Sequence, residues 1–171
     1  MRPAQPRKRG LISVLLCLVV VAIGLIGLDP AVMPALAAEP ENCTAMNTEQ
    51  VKELFERWNS ALGSGDPREV SALYSDDALL LPTLSATPRA NREAITDYFA
   101  TFLAQAPEGR IDSREIRLGC NQALDAGTYS FLLHPPAKEP RRVQARYTFV
   151  YVYRNGDWRI LHHHSSLMPE T

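Results

Sequence analysis

Tyr147-Thr148-Phe149-Val150-Tyr151-Val152-Tyr153-Arg154-Asn155-Gly156-Asp157-Trp158-Arg159-Ile160-Leu161-His162-His163-His164-Ser165 reads as two long strands joined by a tight turn. Asn-Gly supplies the two positive-φ positions that a two-residue hairpin loop requires. Its flanks are rich in the aromatic and β-branched residues that favour strands. A two-residue loop sets Arg154 opposite Asp157 and Tyr153 opposite Trp158. Counting on in equal steps sets Phe149 opposite His162 and Tyr147 opposite His164. Because side chains alternate along a strand, Tyr147, Phe149, Tyr151, Ile160, His162 and His164 are expected on one face. Arg146, Thr148, Val150, Leu161, His163 and Ser165 are expected on the other.

Working outward, residues 110–118 and 128–134 alternate in the same way and predict two further strands; the pair at the end spans 143–154 and 157–167. Before Pro107-Glu108-Gly109 the period is helical. Asn47 with Gln50 fits a capping box. Val51, Leu54, Phe55, Trp58 and Leu62 then form a helical stripe that Gly63 is expected to end. Asp66-Pro67-Arg68-Glu69 is a second helix start, with Val70, Leu73 and Tyr74 as its apolar face. Ala78 to Leu81 predicts a short buried strand stopped by Pro82. Asn91 caps a third helix with the stripe Ile95, Tyr98, Phe99, Phe102 and Leu103. Helices first and strands afterwards give an α+β domain, with three N-terminal helices packed on a curved antiparallel sheet. Such a cone has an apolar mouth where a ligand fits.

The chain of 171 residues begins differently. Arg2, Arg7, Lys8 and Arg9 precede an uncharged stretch from Leu11 to Leu28, and Ala35-Leu36-Ala37 offers a signal-peptidase site. Residues 1–38 are therefore expected to be a signal peptide, 39–47 a lead-in and 48–171 the domain. An uncleaved anchor, the one route to a membrane, is the alternative. The expected location is periplasmic or secreted. Cys17 leaves with the signal, and Cys43 and Cys120 remain. An even count in an oxidising compartment invites a Cys43–Cys120 disulfide, with two buried thiols as the alternative. Asn42-Cys43-Thr44 also fits a glycosylation acceptor, a pattern common by chance. The net charge is −1, with no basic patch to draw nucleic acid.

The ending, from Tyr147 through Asn155-Gly156-Asp157-Trp158 to His162-His163-His164-Ser165-Ser166, resembles the association domain of calcium/calmodulin-dependent protein kinase II. It is more similar still to the stand-alone bacterial relatives of that domain, which are often exported. These belong to the nuclear-transport-factor-2-like superfamily, with the SnoaL-like proteins and ketosteroid isomerase. Trp58-Asn59-Ser60-Ala61-Leu62, Gly65-Asp66 and Tyr74-Ser75-Asp76-Asp77-Ala78 resemble that superfamily's first helices and strand. The resemblance covers residues 48–170. It implies a cone-shaped fold, a pocket at the mouth, and homodimers or larger rings made through the sheet. It implies no kinase activity, since the chain has no kinase domain.

The candidate chemistry is sparse. Where ketosteroid isomerase carries its aspartate base, this chain has Leu79-Leu80-Leu81-Pro82, and the first-helix tyrosine of that enzyme is matched by Trp58. An indole N–H donates but is no acid. Asp76 and Asp77 read as a turn leading into the strand. His162 and His164 suit a metal by type, but His134 is the only further histidine besides His163, so no metal and no cofactor are expected. Arg141 follows Pro140 as in the kinase domain's approach to this strand. Two arginines that line the kinase domain's pocket fall on Phe149 and Ser165, so its ligand preference does not carry over. Arg146, on the same strand, is the remaining candidate for an anion.

Two functions follow from these readings. In the first, the protein is a homo-oligomeric assembly module that holds a small carboxylate or apolar ligand with Trp58, Arg146, Tyr147, Phe149, His162 and His164. In the second, it is a SnoaL-like enzyme using His162 or His164 as base. An enzyme needs a histidine within reach of an open cavity of several hundred Å³. A scaffold tolerates a filled cone.

Overall fold

The computed structural model describes residues 43–169. The signal-peptide reading and residues 39–42 of the lead-in lie outside the described residues. Helix α1 (Thr48–Ser64) starts at the expected capping box, where the Asn47 side chain accepts from the Gln50 N–H and Gln50 reciprocates. It runs past Gly63 and ends at Gly65, whose φ of 72° is left-handed. That conformation is costly for any residue with a Cβ, so Gly65 rather than Gly63 terminates the helix. Helix α2 (Pro67–Ser71) is capped by Asp66 and is only five residues long. Tyr74, expected on its face, opens strand β1 (Tyr74–Leu81) instead. Asn91 caps α3 (Arg92–Phe102), and a tighter turn follows at Leu103–Gln105.

Four long strands complete the chain: β2 (Glu108–Gly119), β3 (Gln122–Leu133), β4 (Arg141–Arg154) and β5 (Asp157–Leu167). The β2–β3 hairpin turns on Cys120 and Asn121, with Asn121 at φ 53°, so β3 begins at Gln122 rather than Thr128. The sheet order is β1-β5-β4-β3-β2. Four strands are antiparallel as expected. The fifth, β1, runs parallel to β5, with Leu79 beside His162 and Leu81 beside His164. The sheet is therefore mixed: β1 enters through the helical layer rather than by a hairpin, and such a connection permits parallel pairing.

The stripe of α1 packs on the inner sheet face. Trp58 is 1% exposed and lies at the centre, its ring 5.3 Å from Phe149, 6.2 Å from Phe131 and 6.4 Å from Phe99. The edge-to-face angles of 65–71° suit aromatic quadrupoles.

Cys43 and Cys120 are joined, with Cα atoms 5.1 Å apart and a sequence separation of 77. The Thr44 N–H adds a 2.8 Å bond to the Asn121 side chain, fixing the start of the domain to the β2–β3 turn. Closing so long a loop removes much denatured-state freedom. Replacing both cysteines by serine is expected to cost about 4 kcal/mol, read from urea unfolding with and without the bridge.

Candidate functional site

The decisive local feature is a bulge in β5. Near the turn the pairing is as the sequence predicts, Arg154 with Asp157 and Tyr153 with Trp158. Between Ile160, which pairs with Tyr151, and His162, which pairs with Val150, the register shifts by one residue at Leu161. From there His163 pairs with Phe149, His164 with Thr148 and Ser165 with Tyr147. A slip of one residue sends every later side chain to the other face. His163 and Ser165 therefore join Tyr147, Phe149 and Tyr151 inside, and His162 and His164 lie on the outer face. This corrects the expected sharing of a face. The bulge buries one imidazole, fully partnered, where the unbroken register would bury two.

The inner imidazole lies within a continuous polar chain. The Trp58 indole N–H donates to the Tyr74 hydroxyl oxygen at 3.1 Å, and that hydroxyl is 2.9 Å from His163 Nδ1. An indole is a donor only, so the Tyr74 O–H is left to donate to Nδ1 and the imidazole proton resides on Nε2. Nε2 is 3.4 Å from the Tyr129 hydroxyl, which donates to Ser165 Oγ at 2.5 Å. Ser165 in turn meets the Thr83 hydroxyl. His163 also stacks on Phe149 at 4.0 Å and 24°. Its exposure is 3%. Burial, reinforced by His162 and His164, lowers its pKa to about 3. Burial also pushes the Tyr129 phenol up to about 12, and Tyr74 well above its ordinary value.

Around this chain the cone is full. The space bounded by Trp58, Phe99, Phe102, Phe131, His163 and Ser165 amounts to about 10 Å³. That is at most one water molecule. Of the predicted site residues, Trp58, Tyr147 and Phe149 come together, but as core packing. Arg146 is exposed on the outer face, paired across the sheet with Ser166 and Thr128. His134 ends its strand region 3.7 Å from Glu108, on an exposed edge. Asp76 and Asp77 belong to β1 rather than to a turn, and hold Arg92 at 2.6 Å and Arg154 at 2.8 Å.

A second buried polar group lies under the other half of α1. Asp125 is fully buried, and its Oδ1 accepts from the Tyr147 hydroxyl at 2.9 Å and from Arg114 Nε at 3.2 Å. The Arg114 guanidinium lies 5.3 Å over the Phe55 ring. Burial raises the Asp125 pKa against the pull of Arg114 and Tyr147. The sequence reading missed this pair because it began β3 at Thr128. With the strand extended back, the parity of Tyr129, Phe131 and Leu133 places Asp125 inside.

The family model for the calcium/calmodulin dependent protein kinase II association domain matches residues 47–169. A Xanthomonas campestris crystal structure assigned to that association domain is similar at 44% identity, over 78% of this chain and 99% of its own, with a TM-score of 0.71. A nuclear transport factor 2-like superfamily protein from Salmonella enterica matches at 18% identity over 72% of this chain and 92% of its own, with a TM-score of 0.63. A member of the same fold group from Streptomyces avermitilis, assigned as a dehydratase, matches at 16% identity over 71% of this chain and 96% of its own, also at 0.63. At such identities the last two speak for the fold alone.

Proposed function

The chain belongs to the calcium/calmodulin-dependent protein kinase II association-domain family, and from that premise we propose that it is an exported, non-catalytic module that joins copies of itself through the outer face of its sheet. The observation that carries this reading is the contrast between the two sheet faces. The inner face is filled to about 10 Å³ around a neutral, doubly bonded imidazole. A general base needs an accessible substrate and a pKa near the working pH, and His163 has neither.

The outer face is the complement. Leu79, His162, Val150 and Leu124 lie in one cross-strand row, and Leu81, His164, Thr148 and Ala126 in the next. All but the exposed His164 are half-buried. A broad surface of short, largely apolar side chains, free of long charged residues at its centre, suits a self-complementary twofold contact. His162 and His164 belong to that surface in this reading. Export is supported by the basic-then-apolar start of the sequence and by the bridge between Cys43 and Cys120.

Light scattering coupled to size exclusion is expected to give a mass at least twice that of one chain. Val150→Glu, a charge at the centre of the face, is expected to give monomers that keep the wild-type circular dichroism. A wild-type monomer at high micromolar concentration would refute the proposal.

A further inference from the structure

Outside the closed cone, a cavity of about 320 Å³ lies against the β1–α3 connection. Leu84, Ser85 and Arg89 of that connection form one wall. Ala94, Asp97, Tyr98 and Thr101 form the other, at the helical spacing that places them along one stripe of α3. Tyr98 and Phe102 are stacked 5.7 Å apart at 13°, and border both this cavity and the filled interior. Leu84 is 36% exposed beside them. The volume is in the range of small-molecule sites.

Among the described residues, two charges line this cavity without an ion pair. Among the described residues, Arg89 has no carboxylate within ion-pair reach, whereas Arg92, Arg114 and Arg154 each have one. Its Nε is buried and unbonded, and its one side-chain hydrogen bond among the described residues is a long 3.4 Å approach to Ser85 Oγ. The backbone of Arg89 is held firmly, by reciprocal bonds of 2.8 and 2.9 Å to Leu80. Asp97, an exposed residue at the rim, also makes no ion pair among the described residues. A buried N–H left unbonded is costly, and a guanidinium fork matches a carboxylate. An anion alone would meet Asp97, and a cation alone would meet Arg89. One molecule carrying both charges answers both.

We propose that this cavity binds a small zwitterion with an apolar body, that is, a hydrophobic amino acid, with its carboxylate on Arg89, its ammonium toward Asp97 and its side chain on Tyr98, Phe102 and Leu84. The site is independent of the assembly reading, and none of its residues lies on the outer sheet face.

The test is a nuclear magnetic resonance titration of the purified protein with L-phenylalanine, followed at the Leu84 methyls and the Tyr98 ring. Phenylacetate and phenethylamine, each lacking one charge, are the controls. Phenylalanine is expected to shift both signals, and the controls to bind more weakly. Arg89→Gln and Asp97→Asn are each expected to weaken binding roughly tenfold, the order a charge-assisted bond supplies, with unchanged melting curves. No shift at Leu84 and Tyr98 with phenylalanine, equal binding of phenylacetate, or unaltered affinity in both variants would overturn the proposal.

Discussion

Acidification from pH 7 to pH 4 is expected to cost this domain about 3 kcal/mol through one side chain, His163. Its folded pKa is lowered to about 3 by burial, against an ordinary value of 6.5. Within that window the unfolded chain binds a proton that the folded chain refuses. Stability therefore falls as the pH drops through 6.5 and continues to fall until the folded pKa is reached. The physical reason lies in the polar chain: Nδ1 accepts from Tyr74, Nε2–H faces Tyr129, and among the described residues no carboxylate pairs with this imidazole. His163→Phe keeps the stacking on Phe149 and removes the titration. That variant is expected to be weaker at pH 7 by about 1–2 kcal/mol, the order for unpartnered tyrosine hydroxyls. Its stability should nonetheless depend less on pH than the wild type's. Urea unfolding at pH 7 and pH 4 measures both slopes, and equal slopes would contradict the assignment.

Arg114→Met is expected to be the most damaging of the single substitutions at pH 8, at about 3–5 kcal/mol. Methionine retains much of the stem that packs on Phe55, so the loss is chiefly electrostatic. Asp125 is 0% exposed and would remain ionised with Tyr147 as its one donor among the described residues. Its pKa, already raised by burial, rises further without the guanidinium. The variant therefore loses less at pH 5, where the buried acid takes up a proton. Adding Asp125→Leu to Arg114→Met is expected to recover part of the loss, because a buried pair removed together leaves no unpaired charge. Thermal melts at pH 5 and pH 8 distinguish these cases. A double variant no better than the single one would show that Arg114 acts through packing alone.

Much of the fold is legible in the residues. The capping signals at Asn47, Asp66 and Asn91, the stripe through Trp58, and Asn155-Gly156 each act within a few residues of chain. The site was less legible. The bulge at Leu161 has no local signature, because neither Gly nor Pro marks it. It is set by which imidazole finds partners in Tyr74 and Tyr129, 89 and 34 residues away. Strand parity counted from the turn was correct for Trp158 and Ile160 and inverted for the three histidines. The parallel placement of β1 likewise depends on how the helical layer crosses the sheet, which no short pattern encodes.

His163, rather than either of its two neighbours, is sealed inside a filled cone. Nitrogen-15 resonances of its imidazole report this directly. At pH 5 the ring is expected to be neutral with its proton on Nε2. A His163 that is protonated at pH 5 would contradict the closed interior and the assembly reading built on it, and a proton on Nδ1 would reverse the donor direction assigned at Tyr74.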